Sequence, residues 1–261
     1  MKISIIGAGN MGGAIAKGLA QSTLINTTDI TVTAATQKTL DAIKSFNKDI
    51  NTSKNNSEAI KNANIIIIAV KPWLIDKIAK EIAPYINNNQ IIISIVAGVP
   101  FEYLDKLFRC TKGTLAMFRV IPNTAISIKE SMTAIASYNA STEQEELILS
   151  IFNELGKSIL IEERLIGAAT ALGSCGTAFA LRYIRAAIEG GIEMGLYAHQ
   201  AKEIVSQTVK GAAELLMHNQ SHPEEEIDKV TTPGGITIKG LNEMEHAGFT
   251  SAIIRGLKAS Q

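Results

Sequence analysis

The sequence predicts an α/β N-terminal domain with a mostly parallel sheet over residues 1–161, followed by an all-α domain over 162–261. Three observations predict this. Short β-branched runs alternate with helical stretches through the first part of the chain. Several of these runs are apolar throughout, as in strands buried on both faces of a parallel sheet. Beyond Ile161 no strand-like run follows, and apolar residues recur at helical spacing.

The predicted strands, in order, are Lys2–Ile6, Ile30–Ala34, Ile65–Ala69, Gln90–Ile95, Leu115–Val120 and Met132–Ala136. The segments between them are long enough for crossover helices, expected at Met11–Gln21, Leu40–Phe46, Leu74–Ile82 and Glu143–Leu155. Thr142 suits the N-cap of the last, with Glu145 closing a capping box. Trp73, after Lys71-Pro72, is expected to be partly core. In the second domain, helices are expected over Ala178–Met194, Ala201–Met217 and Ile236–Met244, and Glu224-Glu225-Glu226 reads as a solvated helix start. Small residues crowd the stretch from Gly173 to Gly195. They fit a tightly packed helical domain, interdigitation between two subunits, or both.

Composition narrows the function. Among 261 residues, 25 basic side chains balance 25 acidic ones, so there is no basic footprint for nucleic acid. The 2 cysteines, Cys110 and Cys175, form no disulfide framework and no metal motif, and a cytoplasmic protein is expected. The first residues lack the long apolar core of a signal peptide, and the longest apolar run, Ile65–Val70, is too short to span a bilayer. His218 and His222 straddle a helix end before Pro223 and read as solvated surface, so no metal is expected.

Gly7-Ala8-Gly9-Asn10-Met11-Gly12 follows a predicted strand and opens a predicted helix, the context a dinucleotide fingerprint requires. Gly7 permits the tight turn, Gly9 lets the backbone approach a pyrophosphate, and Gly12 lets helix and strand pack closely. The pyrophosphate would sit over the helix N-terminus, where free N–H groups and the dipole favour an anion. A Rossmann domain follows from this reading. The second strand ends Thr33-Ala34-Ala35-Thr36-Gln37-Lys38, with no acid to bond a ribose 2′-hydroxyl; Asp29 lies at its other end. Thr36, Gln37 and Lys38 suit a 2′-phosphate, so NADPH is expected, with NADH as the alternative. Lys38 reads equally as a solvated helix-start residue.

A second constellation is Thr231-Thr232-Pro233-Gly234-Gly235-Ile236-Thr237 before an amphipathic helix. Backbone N–H groups at a positive helix end would seat a substrate carboxylate, with the Thr232 and Thr237 hydroxyls beside it. The same residues also read as a simple helix start capped by threonine.

These residues, in this order, resemble the pyrroline-5-carboxylate reductases. The resemblance rests on the glycine loop, Ala69-Val70-Lys71-Pro72, Ala97-Gly98-Val99, Ile121-Pro122-Asn123-Thr124, Glu193-Met194-Gly195-Leu196 and His222-Pro223. Most specific is Thr232-Pro233-Gly234-Gly235-Ile236-Thr237, with Glu245-His246-Ala247-Gly248-Phe249 after it. It implies NADPH-dependent reduction of L-Δ1-pyrroline-5-carboxylate to L-proline, the last step of proline biosynthesis. It implies a helical dimerisation domain, giving a homodimer or a larger assembly of dimers whose partner contributes to the site. Cofactor positions carry over to Gly7, Gly9, Asn10, Met11 and Gly12, to Asn56, and to Val70 and Lys71; Ala97, Gly98 and Asn123 would border the nicotinamide. Substrate positions carry over to Thr232, Gly234, Gly235 and Thr237, with Ser174 and Cys175 near the expected pocket. Thr237 is the candidate catalytic residue, hydrogen-bonding the imine nitrogen. Cys175 alone reads also as a small packing residue.

The chain departs from the family's Ser-Gly-Ser-Gly-Pro-Ala-Tyr at Gly173-Ser174-Cys175-Gly176-Thr177-Ala178-Phe179, and Ala125 replaces its usual proline. These changes bear on rate and substrate range. A β-hydroxyacid dehydrogenase shares the architecture but uses a helical lysine, a motif that neither Lys202 nor Lys210 reproduces. A cofactor-binding regulatory protein is the non-enzymatic alternative, resting on the altered 173–179 segment.

Overall fold

The computed structural model describes residues 1–109 and 114–261. Cys110 lies outside the described residues. The described chain divides into two compact units, Met1–Ser174 and Cys175–Gln261.

The first unit is built on an eight-stranded sheet: β1 (Ile3–Ile6), β2 (Ile30–Thr33), β3 (Asn51–Ser53), β4 (Ile65–Ile68), β5 (Ile91–Ser94), β6 (Ala116–Ile121), β7 (Ser131–Tyr138) and β8 (Gly156–Leu160). Their order is β3-β2-β1-β4-β5-β6-β7-β8. All neighbours are parallel except β6 and β7, which pair antiparallel with Phe118 opposite Ser137. The first six strands follow the Rossmann order, and the strand order reverses about the β1–β4 seam, where Ile3 pairs with both Ile30 and Ile65 in parallel.

Strand β4 shows why the sheet is buried on both faces. Its four residues are all isoleucine and all buried. Side chains alternate, so Ile65 and Ile67 enter one core and Ile66 and Ile68 the other. On the first face lie α1 (Asn10–Leu19), α2 (Gln37–Phe46) and α6 (Thr142–Asn153), through Ile15, Ile43 and Phe152 among others. On the second lie α3 (Asn56–Ile60), α4 (Ile75–Ile82) and α5 (Phe101–Phe108), through Ile60, Ile75 and Leu104. Helix α4 buries Ile75, Ala79 and Ile82, a helical stripe of spacing four and three. Ile67→Ala is expected to lower the unfolding free energy by about 2–5 kcal/mol, because Ile67 is fully buried and its neighbours cannot close the gap. Urea denaturation measures this, and a loss below ~1 kcal/mol would mean that the core collapses around the missing methylenes.

Three expectations are corrected. The box at the start of α6 is one residue earlier: Ser141 is the N-cap, and Gln144, not Glu145, returns the second bond. Trp73 is not core. It is 76% exposed in the short turn before α4, whose buried stripe begins only at Ile75. The stretch 163–193 is 31 helical residues, long and apolar enough by length and composition to cross a membrane. Its apolar residues, among them Leu165, Ile166, Leu172, Phe179 and Leu181, are spread along several turns between small residues rather than gathered in one contiguous run. β3 and β8 are additional strands at the two sheet edges.

The segment 163–175 runs through a 3₁₀ turn, α7 (Ile166–Ala169) and a π-helical turn, Thr170–Cys175. The second unit contains α8 (Gly176–Glu193), α9 (Ala198–Asn219), α10 (Pro223–Lys229), α11 (Ile236–His246) and α12 (Phe249–Lys258). It has little core of its own. Helix α8 buries Gly191 and α9 buries Ala201, whose methyl would lie 3.1 Å from a Cβ placed on Gly191. Helices α10, α11 and α12 bury none of their residues. An apolar groove of about 520 Å³, lined by Phe179, Tyr183, Met244, Phe249 and Ile253, lies open between α8, α11 and α12.

Candidate active site

The carboxyl ends of β1, β2, β4, β5 and β6 lie at one end of the sheet, and the strand order reverses between β1 and β4, where ligands of doubly wound sheets bind. Gly7 leaves β1 with φ +101°, a conformation that disfavours side chains. A Cβ there would lie 2.7 Å from the Ala69 carbonyl oxygen. The Gly7 and Ala8 amides both donate to the Thr33 carbonyl, at 3.1 and 2.8 Å, which folds the loop across the end of β2.

Gly9 is the N-cap of α1, and no side chain caps it. Its missing Cβ faces open space, while one on Gly12 would sit 2.0 Å from the Gly7 carbonyl oxygen. The loop therefore packs tightly inward at Gly12 and stays open outward at Gly9, with the first amides of α1 available to an anion. These features fit a dinucleotide pyrophosphate. Gly9, Asn10, Met11 and Lys38 line one cleft of about 620 Å³, which joins the heads of α1 and α2. Thr36 caps α2, its hydroxyl accepting from the Thr39 amide at 3.3 Å, and Gln37 donates to Asp41 at 2.9 Å. Asp29 stands at the far end of β2 and pairs with the terminal amine at 3.4 Å. No carboxylate competes with a phosphate beside Lys38 in this cleft.

Asn56 opens α3. Its Nδ2 donates to Glu81 at 3.1 Å, and its Oδ1 accepts from the Thr33 hydroxyl at 2.6 Å. Val70 touches the glycine turn: its Cγ1 lies 3.0 Å from where a Gly7 Cβ would be. Lys71 is exposed and starts the turn Pro72–Leu74. Ala97 and Gly98 form an exposed turn after β5, with Gly98 at φ +74°. Gly98 shares a second cleft, about 370 Å³, with Pro72, Val99 and Tyr103. The Tyr103 phenol donates to Asp76 at 2.7 Å. That bond, ahead of desolvation and the Asp76 charge, raises the phenol's pKa above its ordinary value.

Asn123, 8% exposed, uses its amide within the fold. Its Oδ1 accepts from the Ala125 amide at 3.0 Å and its Nδ2 donates to the Gly173 carbonyl at 3.1 Å. It thereby ties the end of β6 to the π-turn that carries Ser174 and Cys175, both half-buried. A π-turn frees carbonyls from the usual helical ladder, and Asn123 occupies one of them.

Thr232-Pro233-Gly234-Gly235 is a turn closed by the Gly235 amide donating to the Thr232 carbonyl at 2.9 Å. Gly234 has φ +72° after proline, the pattern of a type II turn. Gly235 is the N-cap of α11 and no side chain caps it. Threonine therefore does not cap this helix, and its first amides stay open. Thr237 lies exposed in the first turn of α11. His222 caps α10, its Nδ1 accepting from the Glu224 amide at 3.2 Å.

Sequence reasoning missed three polar groups behind the site. Thr33 and Glu81 flank Asn56. Arg119, on β6, pairs with Glu163 at 2.8 Å, and the same carboxylate oxygen accepts from the Phe101 amide at 2.7 Å, pinning the turn after Gly98. An arginine inside the apolar strand Leu115–Val120 was the available signal, since a buried charge requires a partner.

A parallel sheet in this strand order, with an uncapped glycine loop at its reversal and a separate helical unit, defines a Rossmann-type protein of two parts. Residues 2–98 match the family described as NADP oxidoreductase, coenzyme F420-dependent, and residues 163–261 match pyrroline-5-carboxylate reductase dimerisation. Pyrroline-5-carboxylate reductase 1 of Dictyostelium discoideum is 42% identical across 99% of this chain, which spans 48% of that protein's length. Pyrroline-5-carboxylate reductase 2 of the same organism is 40% identical, with 99% and 90% of the two chains covered. The crystal structure of Plasmodium falciparum pyrroline carboxylate reductase with NADP bound has a TM-score of 0.89 at 27% identity, covering 100% of this chain and 95% of that one. The chain belongs to the pyrroline-5-carboxylate reductase family.

Proposed function

We propose that this chain reduces L-Δ1-pyrroline-5-carboxylate to L-proline with NADPH. The observation that carries the reading is similarity along the whole chain to a relative of that name with nearly the same length. The acid-free end of β2 supports NADPH over NADH, since Lys38 and the Thr36 hydroxyl offer a 2′-phosphate favourable partners and no carboxylate repels it. When bound, the reduced nicotinamide supplies the hydride that adds to C5 of the imine.

The chain's own residues do the rest. The amides of Asn10, Met11 and Gly12 seat the pyrophosphate at the positive end of α1. Val70, Lys71, Ala97 and Gly98 border the nicotinamide, and Asn123 holds the backbone there. Thr232 and the open amides at Gly234 and Gly235 hold the substrate carboxylate, with Ser174 and Cys175 as further pocket residues. Thr237 hydrogen-bonds the ring nitrogen and donates, or relays from water, the proton that this nitrogen keeps as the C=N π pair becomes its own. No buried histidine or carboxylate is required, because a cyclic imine can be protonated in solution.

The exposed apolar faces of α8–α12 support a homodimer or a larger assembly of dimers, and the compartment proposed for it is the cytoplasm. Ile236 is 86% exposed within the single chain, and only 11% of the most apolar window of 163–193 is buried. A second copy rather than lipid is the cover assigned here, because Arg182, Arg185 and Glu189 interrupt the same helix.

Oxidation of NADPH and NADH, followed by nicotinamide absorbance with pyrroline-5-carboxylate and with β-hydroxyacids, tests the reading. The expected result is turnover of the imine with a lower KM for NADPH. Oxidation of neither cofactor by the imine would overturn it.

A further inference from the structure

A chain of hydrogen bonds runs from helix α4 to the first glycine of the dinucleotide loop. The Glu81 carboxylate accepts from Asn56 Nδ2 at 3.1 Å. Asn56 Oδ1 accepts from the Thr33 hydroxyl at 2.6 Å. The Thr33 Oγ1 accepts from the Gly7 amide at 3.3 Å, alongside the Thr33 carbonyl at 3.1 Å. Thr33 is 1% exposed, and Asn56 and Glu81 are half-buried.

The polarity of this chain has one origin. A carboxylate only accepts, so it draws the NH₂ side of the Asn56 amide towards itself. The carbonyl side then faces Thr33. The Thr33 hydroxyl must donate to it, and its lone pairs are left for the Gly7 amide. With the Asn56 amide turned over, its carbonyl oxygen would face the Glu81 carboxylate with no proton between them, its NH₂ would face Thr33, and the Thr33 hydroxyl proton would lose its acceptor beside Gly7. Gly7 has no conformational slack to absorb this, being held at φ +101° against the Ala69 carbonyl.

We propose that Glu81 is a positioning residue of the dinucleotide site: from helix α4 it sets the orientation of Asn56, and through Thr33 it holds the glycine loop in its binding form. The inference rests on the dinucleotide reading given above. Glu81 itself touches no cofactor; it acts through the network, whose members are worth more together than apart.

The test is NADPH and NADH titration of the full chain by nicotinamide fluorescence, with thermal unfolding in parallel. Glu81→Leu is expected to raise the Kd for NADPH roughly tenfold, the scale of one lost hydrogen bond. Thr33→Val should do about the same. The double variant should bind no worse than the weaker single one, because both interrupt one chain. Glu81→Gln keeps an acceptor oxygen and should recover binding to within about twofold of wild type. Should Glu81→Leu fail to fold, Thr33→Val and Glu81→Gln still decide the matter. The proposal is overturned by an unchanged Kd in Glu81→Leu or Thr33→Val, by effects that multiply in the double variant, or by Glu81→Gln binding as weakly as the broken chain. Wild type that binds neither dinucleotide would overturn the site reading and this inference with it; wild type that binds, with variants that match it, would overturn this inference alone.

Discussion

Thr237→Ala is expected to fold as wild type does and to turn over pyrroline-5-carboxylate about 10²-fold more slowly. The side chain is exposed in the first turn of α11, so its removal leaves no cavity. Alanine is also the better helix former. The variant therefore isolates the chemistry from the fold. The division between kcat and KM carries the information. A hydroxyl that only seats the carboxylate would change KM and leave kcat alone, whereas one that holds the ring nitrogen as it gains its proton lowers kcat. Thr237→Ser should keep most of the rate, since the hydroxyl remains. A folded Thr237→Ala enzyme with unchanged kcat would remove this residue from the mechanism.

Gly12→Ala is expected to weaken NADPH binding about 10²-fold, the scale of losing hydrogen bonds to a charged group. The added methyl would lie 2.0 Å from the Gly7 carbonyl oxygen and 2.9 Å from the Ala69 side chain. The first neighbour is backbone, so no side chain can swing aside. Either α1 moves away from β1 or the Gly7 turn opens, and both displace the amides that face the anion. Calorimetric titration with NADPH reads the loss directly. Gly9→Ala makes the contrast, because its Cβ would meet nothing in the protein. A Gly9 variant that folds normally yet binds poorly would place the dinucleotide against that position. Normal binding by Gly12→Ala would mean that the loop tolerates the shift and that its tightness is only structural.

The sheet was legible where its strands are wholly apolar. Ile65–Ala69 reads as a strand buried on both faces, and β4, Ile65–Ile68, is one of the strands at the reversal. The edge strands escaped notice because an edge needs little hydrophobicity. Asn51-Thr52-Ser53 is three polar or half-polar residues long, and Gly156–Leu160 exposes most of its side chains. The start of α6 was misread because Ser141–Gln144 and Thr142–Glu145 both satisfy the capping-box spacing, and sequence alone does not choose between overlapping registers. The glycine loop and the Pro233-Gly234-Gly235 turn were legible because few residues adopt those conformations. What stood behind them was not. Glu81 is 74 residues from Gly7 in sequence and joins it only through two intermediaries. The π-turn at Thr170–Cys175 likewise carries a long-range bond, from Asn123 to Gly173, that no local pattern announces.

The four isoleucines of β4 also have a meaning before the chain is folded. A run of β-branched apolar residues without charge is the kind of segment that joins its counterparts on other nascent chains. It cannot be diluted with polar residues, since every position faces a core. Parallel pairing makes matters worse, because β4 must wait for partners distant in sequence. The flanks take on the protective role. Lys61, Asn62 and Asn64 precede the run, and Lys71-Pro72 closes it with a charge and a residue that cannot extend a sheet. Lys71 is exposed just beyond the run, and Lys71→Ile is expected to reduce soluble yield, measured as the soluble fraction on expression, because it removes the charge that flanks the isoleucines.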